Sequence, residues 1–196
     1  MDSERLKMNE KILIVGLGNP GREYRNNRHN IGFTMIDILA KENNISFSIM
    51  QFNSLLTNMR IGEKNIILAK PQTYMNRSNK AVVAIIKFFK LELNQLIICN
   101  DDLDLPLGTI RIKGSGGSGG QRGINSIIEG LGTKEFPRLR MGIGRPSGHL
   151  AAADYVLQDF QKFELDQVDN MLERSVEAVM LFAEKGIDAA MTKYNG

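Results

Sequence analysis

Apolar residues recur along this chain with two different periods, and the alternation between them outlines a fold. Lys11 to Leu17 (KILIVGL) is a short, β-branched run ending at a glycine, which reads as a buried strand. Ile31, Met35, Ile36, Ile38 and Leu39 then return at close to helical spacing and predict a helix over 29–42. Ser54 to Ile61 and Asn65 to Lys70 flank Gly62-Glu-Lys-Asn65, a composition suited to a hairpin turn. Ser78 stands in the N-cap position of a helix reaching Lys90, whose apolar face is Val82, Val83, Ile86 and Phe89. Further strands are predicted over 95–100, 109–113 and 138–143, and further helices over 123–131 and 163–185. Strands and helices alternate, with one hairpin inserted. The pattern predicts an α/β fold: a single-domain three-layer sandwich with a mixed, mostly parallel twisted sheet and helices on both faces. A polar tail is expected over 1–10 and one domain over 11–196.

Composition narrows the class. Apolar residues make up 42% of the 196 and charged residues 24%, the balance of a soluble globular protein. The lone cysteine, Cys99, lies in an apolar run and excludes a disulfide framework. No stretch approaches the roughly 18–20 apolar residues of a membrane span, and the mixed-charge N-terminus does not resemble a secretory signal. A cytoplasmic location is expected. Charge is segregated: residues 105–148 carry seven Lys/Arg against two Asp/Glu, whereas residues 149–196 carry four against nine. A basic middle beside an acidic tail suits one surface that attracts a polyanion.

Gly16-Leu-Gly-Asn-Pro-Gly21 has the G-x-G-x-x-G spacing of a dinucleotide loop, with Asp37 near the place of a ribose contact. A helix must open within such a motif so that its amides face the pyrophosphate. Here Pro20-Gly21 signals a turn and Arg22 to Arg28 has no apolar face, so a dinucleotide site is disfavoured. The loop instead gathers Asn19, Tyr24, Arg28, His29 and Asn30 at the C-terminal end of a strand, where ligands of open α/β sheets bind. A second polar cluster, Asn100-Asp-Asp-Leu-Asp104, also follows a predicted strand. If the two strands are parallel neighbours, a carboxylate there can accept the imidazole N–H and leave the other ring nitrogen as a base. The acidic cluster lacks a second group of ligands to complete a metal site. There is no G-x-S-x-G elbow, and Ser115 and Ser118 have no neighbouring base. Activated water is the simpler nucleophile.

Two further segments carry chemistry. Pro71 to Ser78 joins a strand to a helix, and the Asn76 amide can donate to a carbonyl and accept from a water at once. Arg111 and Lys113 share one face of a strand, Arg138 and Arg140 do so on the next, and Arg122 adds a charge beside the Gly114–Gly120 loop. Cations beside glycines that let backbone amides approach suit a phosphate chain. The glycine loop itself reads as mobile.

The segments Leu13–Gly21 with Glu23-Tyr24, Arg28–Gly32, Lys70–Asn76, Asp101–Pro106 with Gly108, Gly114–Gly123 and Arg138–Gly144, in this order, resemble the bacterial peptidyl-tRNA hydrolase family. The resemblance runs from about 11 to 186. It implies hydrolysis of the ester between a peptide and the 3′ end of tRNA, without cofactor or metal, with His29 as general base and Asp101 as its orienting carboxylate. Asn19 and Asn76 would hold the peptide carbonyl and the water. Tyr24, Tyr74, Met75, Gln121 and Arg122 would contact substrate, and Lys113 and Arg140 the tRNA phosphates. The partner would be peptidyl-tRNA, and the protein a monomer. Gln121 and Arg122 depart from a common Gly-Gly-His-Asn-Gly pattern, and Asn79 and Asn100 replace a frequent glycine and histidine. Two rival readings are a non-catalytic RNA-binding protein of the same fold, as in organellar splicing factors, and a dinucleotide-dependent enzyme.

Overall fold

A computed structural model of the chain describes residues 10–146 and 148–195. The tail expected over 1–10 lies, but for Glu10, outside the described residues. Among the described residues seven strands form one sheet: β1 (Lys11–Gly16), β2 (Ile49–Gln51), β3 (Ser54–Ile61), β4 (Lys64–Pro71), β5 (Leu96–Asp102), β6 (Ile110–Lys113) and β7 (Arg138–Gly142). Their order across the sheet is β2-β3-β4-β1-β5-β7-β6. The central four pair in parallel, and β2, β3 and β6 add on antiparallel at the two sides. The two-residue connection after Ile61 is the expected hairpin, turning at Gly62 with φ +56°.

Alternation along the strands divides the core. Leu13, Val15, Ile67, Leu96 and Ile98 pack against α2 (Asn79–Phe89) and α3 (Arg122–Leu131). Ile12, Ile14, Ile97, Cys99, Leu139 and Met141 face the other way, onto α1 (Ile31–Glu42), α5 (Leu165–Lys185) and α6 (Ile187–Tyr194). Helices therefore cover both faces of a mixed sheet, as the periodicity predicts. No described helix is long and apolar enough to cross a membrane. Three short elements have no clear signal in the sequence: β2, α4 (Ala152–Tyr155) and α6. The first two, of three and four residues, are too short for either pattern to recur. The third is set off from α5 by Gly186 at φ +85°. The Asn195 amide behind it pairs with both backbone groups of Ile112, at 2.7 and 2.8 Å, and shields the edge of β6.

Ser78 is not an N-cap. Its own backbone is helical, and its hydroxyl donates back to the Met75 carbonyl at 2.9 Å. The Asn79 amide finds its acceptor on a neighbouring helix instead, the Ser126 hydroxyl at 3.1 Å.

Two glycines on either side of the first loop, Gly16 at the end of β1 and Gly32 in the following helix, serve close packing. A Cβ on Gly32 would lie 2.5 Å from the Cys99 carbonyl and from both Leu17 backbone groups, and one on Gly16 would lie 2.2 Å from the Gly32 carbonyl. Strand and helix cross here backbone to backbone. Gly32→Ala is expected to destabilise the fold by at least the roughly 1–3 kcal/mol of ordinary overpacking, because no flexible side chain can yield. The urea midpoint measures it, and an unchanged midpoint would contradict the close approach.

Candidate active site

Because β1 and β5 are parallel neighbours, with Gly16 opposite Cys99, their C-terminal ends open at the same level. Beyond β1 the chain makes a 3-10 turn at Arg22–Tyr24 and another at Arg28–Asn30 before α1 begins. The Asn30 side chain ties this loop into a ring. Its Oδ1 accepts from the Asn19 amide at 2.8 Å and its Nδ2 donates to the Asn19 carbonyl at 2.9 Å. The loop delivers His29 to Asp101 at the end of β5, with Nδ1 2.8 Å from Oδ2. Both groups are buried, at 8% and 2% exposure. An ionised carboxylate only accepts, so the proton belongs on Nδ1 and the lone pair on Nε2. His29 and Asp101 both line a cavity of about 450 Å³.

Other loops complete the enclosure. The Asn19 Oδ1 accepts the Met75 amide proton at 2.8 Å, which commits the oxygen and leaves Nδ2 as the donor of this cavity-lining residue. Gln121 caps α3 by accepting from the Ile124 amide at 2.7 Å, and its Nε2 donates to Asp101 Oδ1 at 3.0 Å. Tyr24, Tyr74, Asn76 and Arg122 stand around the rim, and Ala152, Ala153, Val156 and Leu157 form an apolar wall. The cavity thus gathers His29, Asp101, Asn19, Asn76, Tyr24, Tyr74, Met75, Gln121 and Arg122 from separate stretches of chain.

The remaining acidic residues of the β5 end have separate partners. Asp102 pairs with Arg140 at 2.5 Å, and Asp104 with Arg145. Among the described residues no three His, Cys, Asp or Glu side chains converge as a metal group would require.

The basic residues divide. Register sets Arg111 opposite Arg140 and Lys113 opposite Arg138, so all four leave the sheet on one face. Lys113 and Arg111 are exposed, and Arg140 is half-buried. Arg138 is 3% exposed and points beneath the glycine loop, where it donates to the Gly117 carbonyl at 2.9 Å and the Lys134 carbonyl at 3.1 Å. Burial first, and then the Arg140 charge, hold its pKa below the usual arginine value against a weaker pull from Glu135. Arg138 is therefore a strut for the loop and not a surface cation.

Sequence reasoning places Arg28 in the polar loop but does not find its partner. Arg28 is 3% exposed and grips Glu164 with both terminal nitrogens, at 3.0 and 2.6 Å, across 136 residues of sequence. Its guanidinium lies between the Tyr155 and Phe160 rings, 4.4 and 4.7 Å from their centroids. The backbone adds two bonds, Arg28 N–H to the Gln158 carbonyl and His29 N–H to that of Val156. The apolar wall is thereby fastened to the turn that carries His29. A glutamate at the start of a helix is too common to have signalled this.

Comparison with known proteins identifies the family. The family model described as Peptidyl-tRNA hydrolase matches residues 13–196. The chain is 44% identical over 183 residues to the peptidyl-tRNA hydrolase of Syntrophomonas wolfei, covering 93% of this chain and 99% of that protein. It is 46% identical over 184 residues to the mitochondrial peptidyl-tRNA hydrolase of Oryza sativa, covering 93% and 74% respectively. Among solved structures, the crystal structure of peptidyl-tRNA hydrolase from Acinetobacter baumannii matches with a TM-score of 0.88 at 34% identity, over 94% of each chain.

Proposed function

The chain belongs to the peptidyl-tRNA hydrolase family, and from that premise we propose that His29 is the general base for hydrolysis of peptidyl-tRNA. The observation that carries this reading is the His29–Asp101 pair, buried at the wall of a cavity, with Nδ1 engaged by the carboxylate so that Nε2 is the ring nitrogen left to act as base. Water gives a proton to Nε2 as its oxygen attacks the ester carbonyl carbon of the last peptide residue. The Asn19 Nδ2 and the Asn76 amide steady the oxyanion and the water. The carbon–oxygen ester bond then breaks, and the ribose 3′-oxygen leaves with the proton that His29 had taken. Tyr24, Tyr74, Met75, Gln121 and Arg122 contact the substrate. The reaction uses no cofactor and no metal, in keeping with carboxylates that are each engaged by a separate partner. An assay on purified peptidyl-tRNA tests the whole proposal: peptide must be freed without added nucleotide. A non-catalytic RNA-binding protein would bind the substrate and release nothing.

The acceptor stem would lie across the basic face. Lys113 reaches solvent there, and Arg140 stands beside it, shared with Asp102. Removing one cation from a phosphate should lower the steepness of the salt dependence by about one unit. Lys113→Ala with Arg140→Ala is expected to weaken tRNA binding and flatten the plot of log Kd against log salt. An unchanged slope in the double variant would place the tRNA on another face. We propose that the protein acts as a cytoplasmic monomer.

A further inference from the structure

We propose that Gln121 is a positioning residue that fixes the rotation of the Asp101 carboxylate and, through it, the His29 imidazole. This rests on the assignment of His29 as base. Asp101 is 2% exposed, so in the intact protein its Oδ1 relies on a protein donor and not on bulk solvent. With Oδ2 on His29 at 2.8 Å, the 3.0 Å donation from Gln121 Nε2 to Oδ1 is what stops the carboxylate from pivoting. The orientation of the amide is itself determined. Its Oε1 accepts from the Ile124 amide at 2.7 Å, and a flipped side chain would set a donor against that amide and an oxygen against the carboxylate. Rigid helix α3 thus holds Gln121, Gln121 holds Asp101, and Asp101 holds His29.

The same side chain closes a circuit around the cavity. Nε2 lies 3.3 Å from the Met75 sulfur, and Met75 N–H donates to Asn19, which is bonded in turn to Asn30 beside His29. Gln121 also ends the glycine loop, its own amide donating to the Ser118 carbonyl at 3.0 Å. The loop on the basic face and the base are therefore joined through one residue.

Two variants separate this role from helix capping. Gln121→Glu keeps an oxygen to cap α3 but replaces the donor with a charge facing Asp101. Gln121→Asn keeps a good cap but is one methylene too short to reach the carboxylate. Both are expected to stay folded by circular dichroism and to lose about 10- to 100-fold in kcat, the scale of a hydrogen bond to a charged group, a larger change than any in KM. Combined with Asp101→Asn, either should add little further loss, since both act through one carboxylate. Parent-like kcat in both variants, a loss confined to KM, or full additivity with Asp101→Asn overturns the proposal. If Asp101→Asn itself hydrolyses peptidyl-tRNA at the parent rate, the reading of His29 and Asp101 fails first, and the role of Gln121 with it.

Discussion

His29→Ala is expected to lower turnover of peptidyl-tRNA by roughly 10²- to 10⁴-fold, the usual scale for loss of a general base, while the protein remains folded. The fold should survive because the imidazole contributes little to the core: its ring stands at the cavity wall, and the backbone bond from its amide to Val156 persists in alanine. Asp101 keeps one of its two side-chain partners, Gln121, and the vacated space opens to the cavity, so water can reach the oxygen that His29 leaves. The residual rate would come from substrate placement and from the Asn19 donor, whose orientation depends on Met75 and Asn30 and not on His29. KM should therefore move less than kcat. Single-turnover release of labelled peptide, with circular dichroism on the same preparation, checks both halves. Near-parent turnover in a folded variant removes His29 as the base.

Much of this site is legible in the sequence, for a physical reason. Loops at the C-terminal ends of parallel neighbouring strands must converge, so two polar clusters that each follow a β-branched run can be placed together from pattern alone. His29 and Asp101 meet because β1 and β5 do. The cation pattern is legible as far as which face each residue occupies, and no further. Arg138 shares a face with Lys113, yet the glycine loop folds over one and leaves the other in water. Alternation along a strand gives direction; depth depends on what lies above. Ser78 misleads for a similar reason, since the acceptor for the first helical amide comes from Ser126 on a helix distant in sequence. The G-x-G-x-x-G spacing misleads for the opposite reason. Its first glycine, Gly16, is required by the close crossing of β1 over α1 and not by a phosphate.

Arg28→Met should produce the largest loss of stability among single changes near the site, about 3–5 kcal/mol at neutral pH, because it strands a carboxylate away from water. The side chains of Arg28 and Glu164 are only 3% and 11% exposed. Burial pushes the Glu164 carboxyl up. The Arg28 hydrogen bonds, the Gln161 amide and the Arg28 charge together outweigh it, and the net pKa lies below the usual value. A depressed carboxyl contributes stability that is present above its unfolded pKa and lost as pH falls through the folded one. In the variant the sign reverses: without its cation Glu164 is held above the ordinary range, and protonation relieves the penalty. The gap between parent and variant should thus be widest near pH 7, begin to shrink as pH falls through the raised pKa of the variant's Glu164, and go on shrinking until the parent's carboxyl takes up its proton, below the ordinary value of about 4.3. Urea unfolding at several pH values tests this, and a gap independent of pH would mean that the ion pair does not govern it. Replacing both partners, as in Arg28→Met with Glu164→Leu, should recover only part of the loss. Glu164 also accepts the Gln161 amide at 2.6 Å, and the Tyr155 and Phe160 rings lose the guanidinium between them. Activity should fall further than the folded fraction in Arg28→Met, since the pair fastens the apolar wall to the turn that presents His29.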